Sequence, residues 1–215
     1  MRISFRDLNE AIVHPRVFRR RLRGPQGPPP FFRYSYYNVL LNSIFHFHNC
    51  QNDPNQGEDY LVDRLSAFKS DVRKEIISDQ FRWYVEDYLN KNVTTFEVRQ
   101  NIKIIPEIPL QTGTTISGQI SRIDIVPTGG YAAWLFRNGN PYGWEQEFCM
   151  PLIQYELANR ILRVPSDEIS IGIYSFTERV IDQHCYSVQE LQNAKDNLDR
   201  LLRTLGLAQR SQILL

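Results

Sequence analysis

The stretch 116–126 constrains this chain most. It reads Ile116-Ser117-Gly118-Gln119-Ile120-Ser121-Arg122-Ile123-Asp124-Ile125-Val126, with Ile116, Gly118, Ile120 and Arg122 on one parity. A period of two belongs to a β-strand, whose successive side chains point to opposite faces. Thr128-Gly129-Gly130 follows and predicts a tight hairpin turn. Residues 131–137 predict the returning strand, closed by Asn138-Gly139-Asn140-Pro141. Upstream, 94–99 alternates and carries β-branched residues, so the three segments together predict an antiparallel meander.

Helical spacing surrounds the meander. Ser4 predicts an N-cap with Asp7 at the third helical position, and Pro15 should end or kink that helix. Ser35 predicts a second cap, and 51–57 is a loop by composition. From 59 to 89 apolar residues recur at three and four, predicting one long helix or two in series. After the meander, 145–162 predicts a helix ended before Pro165, and 169–176 a fourth strand. Cys185-Tyr186 predicts a short fifth strand. Ser187 and Glu190 form a capping box for a last amphipathic helix through Leu205. The order describes an α/β fold, a mixed sheet flanked by helices with a helical N-terminal extension. Residues 1–92 form the helical region and 93–215 the α/β core, expected to make one compact domain together.

Composition fits that reading. The chain has 215 residues, 42% hydrophobic and 23% charged, enough to bury a core without metals or disulfides. No stretch approaches the roughly 18 apolar residues that span a bilayer, so no membrane partner is expected. The net charge of +1 gives no global polycation, although charge can be local. Cys50, Cys149 and Cys185 are far apart; their odd number, with no apolar leader segment, leads to a cytoplasmic expectation. No GxxxxGK, GxSxG or HExxH occurs, so nucleotide triphosphatase, serine hydrolase and zincin readings have no support.

The element order, with Gly118-Gln119-Ile120-Ser121-Arg122-Ile123-Asp124, then Trp134-Leu135-Phe136-Arg137-Asn138-Gly139, then Gln154-Tyr155, resembles the PD-(D/E)XK nuclease superfamily in its RecB-like branch. That branch includes CRISPR-associated RecB-type exonucleases. The resemblance implies a restriction-endonuclease-like fold and extends to Ala11 through Phe18, similar to the branch's opening helix. It also implies a metal-facing histidine near His46 or His48. Such nucleases hold a divalent metal on two or three carboxylates and use a lysine to position or polarise the attacking water. Here Ser121 takes the first acidic position, Leu135 the second and Arg137 that of the lysine. Leucine ligates no metal, and arginine keeps its proton near neutral pH. The iron–sulfur cluster of some relatives needs four cysteines. The resemblance therefore implies a nuclease fold with a degenerate catalytic set, no cofactor and no metal.

Two other readings stand beside it. Glu97 and Asp124 are candidates for a migrated magnesium or manganese site, with Arg137 stabilising charge in the transition state. Glu145 and Glu147 read as helix-start surface residues. The remaining alternative is a pure protein-interaction module. For the degenerate nuclease, the expected role is that of a nucleic-acid-binding or scaffolding subunit, with nucleic acid or other protein subunits as partners. The resemblance places it in a CRISPR or other prokaryotic defence complex. Arg16, Arg19, Arg20, Arg21 and Arg23 are the expected phosphate contacts, with Arg122 and Arg137 in the former cleft. Phe31, Phe32, Tyr34, Tyr36 and Tyr37 could stack on bases, although packing is the commoner use of such residues.

Overall fold

A computed structural model describes residues 1–23 and 35–209. The first strand, β1 (Arg2–Ile3), leads into α1 (Phe5–Val13), where Ser4 and Asp7 form a capping box. Pro15 opens α2 (Pro15–Arg23), occupying a helix start where its missing N–H costs nothing. Then come α3 (Tyr36–Asn49), capped by Ser35, α4 (Pro54–Leu65) and α5 (Asp71–Asn90), capped by Ser70. The meander is β2 (Thr94–Ile104), β3 (Thr115–Ile125) and β4 (Tyr131–Arg137). A 3-10 turn (Trp144–Gln146) precedes α6 (Cys149–Glu156), which continues as a π-helical segment (Leu157–Leu162). The chain closes with β5 (Ile169–Ser175), β6 (Val180–His184) and α7 (Val188–Leu205), which carries the Ser187–Glu190 capping box.

Three expectations are corrected. The segment 51–57 is not all loop, because Asp53 caps α4 and Pro54 sits at its first position. Gly57 lies inside that helix, where a Cβ would fall 2.6 Å from the Phe81 ring and 2.9 Å from Phe47 Cβ. The fifth strand spans Val180–His184, ahead of Cys185. The helix expected over 145–162 is α-helical only from Cys149 to Glu156. The strand β1 had no periodicity to announce it, since two residues carry none.

The sheet is mixed, in the order β1-β3-β4-β5-β6 with β2 on β3. Hence β2 holds one edge of β3, and β1 and β4 share the two ends of its other edge. β1 runs parallel to β3, β5 runs parallel to β4, and the other pairings are antiparallel. Helices cover both faces. One face carries the core of Leu8, Phe18, Ile120, Ile123, Ile153 and Leu202, under α1, α2, α6 and α7. The other carries Leu40, Phe47, Leu61, Phe81, Tyr84 and Phe176, under α3, α4 and α5. This is a three-layer α/β arrangement, with seven α-helices among the described residues. No helix among the described residues is long and apolar enough to cross a membrane.

Candidate functional site

The β3–β4 ladder runs from Ile125↔Tyr131 to Arg122↔Trp134 and stops one residue short of Ser121. Ser121 Oγ accepts a hydrogen bond from the backbone N–H of Phe136 at 3.0 Å, satisfying a donor that the ladder has released. Leu135 packs on the core beneath α1 and α6. Arg137 lies two residues further on the same face and makes a two-pronged ion pair with Glu147, with Nη2 to Oε2 at 2.8 Å and Nη1 to Oε1. Glu147 Oε2 also accepts from Asn9 Nδ2 at 2.7 Å, and Asn9 Oδ1 accepts from Cys149 N at 3.0 Å. Glu147 is therefore half-buried and partnered, rather than the helix-start surface residue expected. Asn9, which ties α1 into this group, carried no signal in the sequence.

Burial pushes the Cys149 thiol up to about 12, with Glu147 adding to the effect, so it stays protonated and weakly nucleophilic. Burial also raises the Tyr37 phenol, against the opposing pull of Arg137. The one carboxylate of this group is already neutralised by a guanidinium. Among the described residues no set of three or more His, Cys, Asp or Glu side chains could hold a metal ion.

The opposite face holds a different group. Arg122 is 0% and Asp124 1% exposed. Their ion pair runs from Nη2 and Nε to Asp124 Oδ2 at 2.7 and 2.9 Å. Trp134 Nε1 donates to the same oxygen at 2.9 Å, and Thr95 Oγ1 donates to Oδ1 at 3.2 Å. The guanidinium carbon lies 4.9–5.9 Å from the ring centroids of Tyr84, Tyr88, Trp134 and Tyr174. Arg122 also donates to the Tyr84 hydroxyl. That hydroxyl meets His48 Nε2 at 2.6 Å, and His48 Nδ1 meets Asn52 Oδ1 at 2.7 Å. Since Asn52 Oδ1 can only accept, Nδ1 carries the proton and Nε2 accepts from Tyr84. Burial first, then the Arg122 charge, holds the imidazole down at about 3. For Asp124, burial raises the carboxyl more than Arg122 lowers it.

This geometry corrects several expectations. Arg122 lies in the interior and offers nothing to a phosphate outside. His48 faces Arg122, on the other side of the sheet from Leu135 and Arg137. His46 instead stacks on Tyr60 at 4.6 Å. Glu97 and Asp124 do not meet either. Thr95 pairs with Asp124 and Glu97 with Ile123, with a bulge between them at Phe96. Glu97 thus shares the face of Ile123, opposite to Asp124. Gln154 is buried and clamps two loops, donating to Ser166 O and Tyr186 O at 2.9 and 2.8 Å and accepting from Tyr186 N at 2.8 Å.

The arginines of α2 divide into two groups. Phe18 is buried, and Leu22 packs against the core. Arg21 reaches back to α1, bridging Asp7 and Glu10 at 2.8 Å each. Arg16, Arg19 and Arg20 are exposed, and none pairs with an acid among the described residues. The side chain of Arg23 and residues 24–34, with Phe31, Phe32 and Tyr34, lie outside the described residues. Tyr36 packs on Phe68 at 4.3 Å and Tyr37 on Phe176 at 6.3 Å, the packing use of these rings.

No family model matches the chain. No curated protein matches it either. Fourteen chains of solved structures do. Among them is a crystal structure of a candidate exonuclease from Eubacterium rectale, 10% identical, covering 95% of this chain and 81% of that one at a TM-score of 0.49.

Proposed function

We propose that this chain is a nuclease-fold protein of the RecB-like kind that has lost its metal-binding catalytic set and serves as a nucleic-acid-binding or scaffolding subunit. The kinship rests on the 118–124 string and the element order. The loss of catalysis is supported by what fills the expected positions: a serine spent on a backbone N–H, an apolar leucine, and an arginine held by Glu147. The binding role is carried by one observation, Arg16, Arg19 and Arg20 on α2, exposed and without an acidic partner among the described residues. Their spacing of three and four residues sets them along one flank of the helix, where guanidinium groups can follow a phosphate backbone. Membership of a CRISPR or other prokaryotic defence complex belongs to the same proposal and rests on the resemblance alone.

The test is a duplex titration across salt concentrations. Three phosphate contacts give a log–log slope of roughly −2.7, and each arginine replaced by alanine should flatten it by about 0.9. A salt-independent affinity, or one unchanged in the Arg16→Ala/Arg19→Ala/Arg20→Ala variant, rejects the reading. Calorimetry with magnesium or manganese, run beside a cleavage assay, tests the lost catalysis. Metal heat with cleavage would overturn it.

A protein partner has an observation of its own at the same corner. Ile12, Val13 and Val17 are 38%, 66% and 54% exposed beside Arg16. Such an apolar cluster suits a scaffolding contact.

A further inference from the structure

A cavity of about 810 Å³ opens between α2, the C-terminal end of α7 and the segment leading into β3. Two guanidiniums line it, those of Arg19 and Arg203, and no aspartate or glutamate does. Arg19 leans over the end of α7, with Nη2 3.7 Å from where a Cβ on Gly206 would sit. Neither arginine has an acidic partner among the described residues. Thr112 and Thr114 add hydroxyls to the rim, and Leu22 and Leu207 add apolar surface.

The walls are held in place. Gln111 N donates to Leu207 O at 2.9 Å, Gln209 N to Pro109 O at 2.8 Å, and Gln111 Nε2 to Gly206 O at 2.7 Å. Two of the last carbonyls of α7 are capped by the chain that follows, Leu202 O by Leu207 N at 2.9 Å and Arg203 O by Gly206 N at 3.0 Å, which reduces the negative partial charge they present to an anion. Two guanidiniums with no acidic partner among the described residues, hydroxyl donors and an apolar wall in a preformed cavity describe a site for a group that is anionic at one end and less polar at the other. The cavity lies well away from the degenerate catalytic positions: Thr114 and Ser121 are seven residues apart in sequence, about 23 Å along an extended strand.

We propose that this cavity binds a nucleoside monophosphate group, with its phosphate between Arg19 and Arg203 and its base against Leu22 and Leu207. The source is either a free mononucleotide or the phosphorylated end of a nucleic-acid strand. Only the strand-end form rests on the nucleic-acid reading above.

The experiment titrates the whole chain with adenosine 5′-monophosphate by calorimetry. In parallel it measures binding of a short single-stranded oligonucleotide with a phosphate at the 5′ end, at the 3′ end, or at neither. Arg203→Gln should weaken mononucleotide binding about tenfold or more, the loss expected for one charge-assisted contact. Thr114→Val should weaken it less. Both should keep the wild-type urea midpoint, and Arg16→Ala/Arg20→Ala should leave mononucleotide binding unchanged. A preference for a phosphorylated end that disappears in Arg203→Gln assigns the site to strand ends. Mononucleotide heat without oligonucleotide binding supports the cavity and rejects the nucleic-acid reading. No mononucleotide heat and no end preference, or equal affinity in Arg203→Gln, overturns the cavity proposal. Duplex binding that depends on Arg16 and Arg20 would still stand in that case.

Discussion

Arg122 shows what one side chain can do in an apolar layer. A guanidinium removed from water is tolerated only where its charge and its donors are matched, and here Asp124, Tyr84 and Tyr174 match them. Removing the cation while leaving Asp124 in place should therefore be severe. Arg122→Met is expected to lose about 3–5 kcal/mol in urea unfolding. The double variant Arg122→Met/Asp124→Leu should recover part of that loss, because no unpaired charge remains, while Trp134 and Thr95 lose an acceptor. His48 gives the same group a pH dependence. It stays neutral in the folded chain down to about pH 3 but takes a proton near 6.5 once unfolded. Below about 6.5 the unfolded state binds more protons, so stability present in full above that pH declines by about 1.4 kcal/mol per unit as the pH falls. Unfolding measured between about pH 7 and 4 should show that slope, and His48→Gln should remove it. An equal slope in the variant would place its source elsewhere. Parity in the sequence puts Arg122 on the side of Ile120, but in β3 Ile120 faces the core under α1 and α6 while Arg122 faces Tyr84 on the other side of the sheet. Its partners Tyr84, Tyr174 and His48 come from distant elements, and no local pattern announces them.

At the scale of elements, α1 is fastened to the sheet through a missing side chain. A Cβ on Gly118 would lie 2.2 Å from the Phe5 ring, so β3 and α1 touch only because position 118 has none. Gly118→Ala should cost about 1–3 kcal/mol of stability. Trimming the ring in Gly118→Ala/Phe5→Leu should return part of it, and failure to do so would move the cause away from this contact. The helix ends were readable because capping is local: Ser4 with Asp7, Ser35, and Ser187 with Glu190 bond groups three residues away. The start of α4 was present in the same code, as Asp53-Pro54, but Gly57 and the neighbouring polar residues read as loop. The glycine is required by Phe47 and Phe81, a packing demand that composition cannot express. The bulge at Phe96 is a further case, since it turns Glu97 away from Asp124 and arises from pairing with β3.

Across the whole molecule, one sheet serves two cores. Trp144 lies in the core under α1 and α6, and Trp134 lies in the core under α3 to α5. The strands β4 and β5 contribute residues to both, and β3 adds Ile120 and Ile123 to the first face and the buried Arg122–Asp124 pair to the second, so neither face can lose its helices without exposing strands that the other needs. The chain should unfold in a single step. Fluorescence transitions of Trp144→Phe, which leaves Trp83 and Trp134 on one face, and of Trp83→Phe/Trp134→Phe, which leaves Trp144 on the other, are expected to share a midpoint with the loss of helical circular dichroism within each variant. Separate midpoints would show that the faces fold as independent units.

The sequence by itself determined the period of the longer elements, most of the helix caps, the meander with its Gly129-Gly130 turn, and the absence of carboxylates at positions 121 and 135. These are properties of neighbours along the chain, or of residue identity alone. The tertiary structure decided which charges meet. It buried Arg122 with Asp124, paired Arg137 directly with Glu147 and added Asn9 to the same carboxylate, parted Glu97 from Asp124, and brought Arg19 to Arg203. The physical reason is that an ion pair or a shared cavity depends on which elements come together, and hydrophobic burial on the two faces of the sheet sets that without regard to the charges carried along.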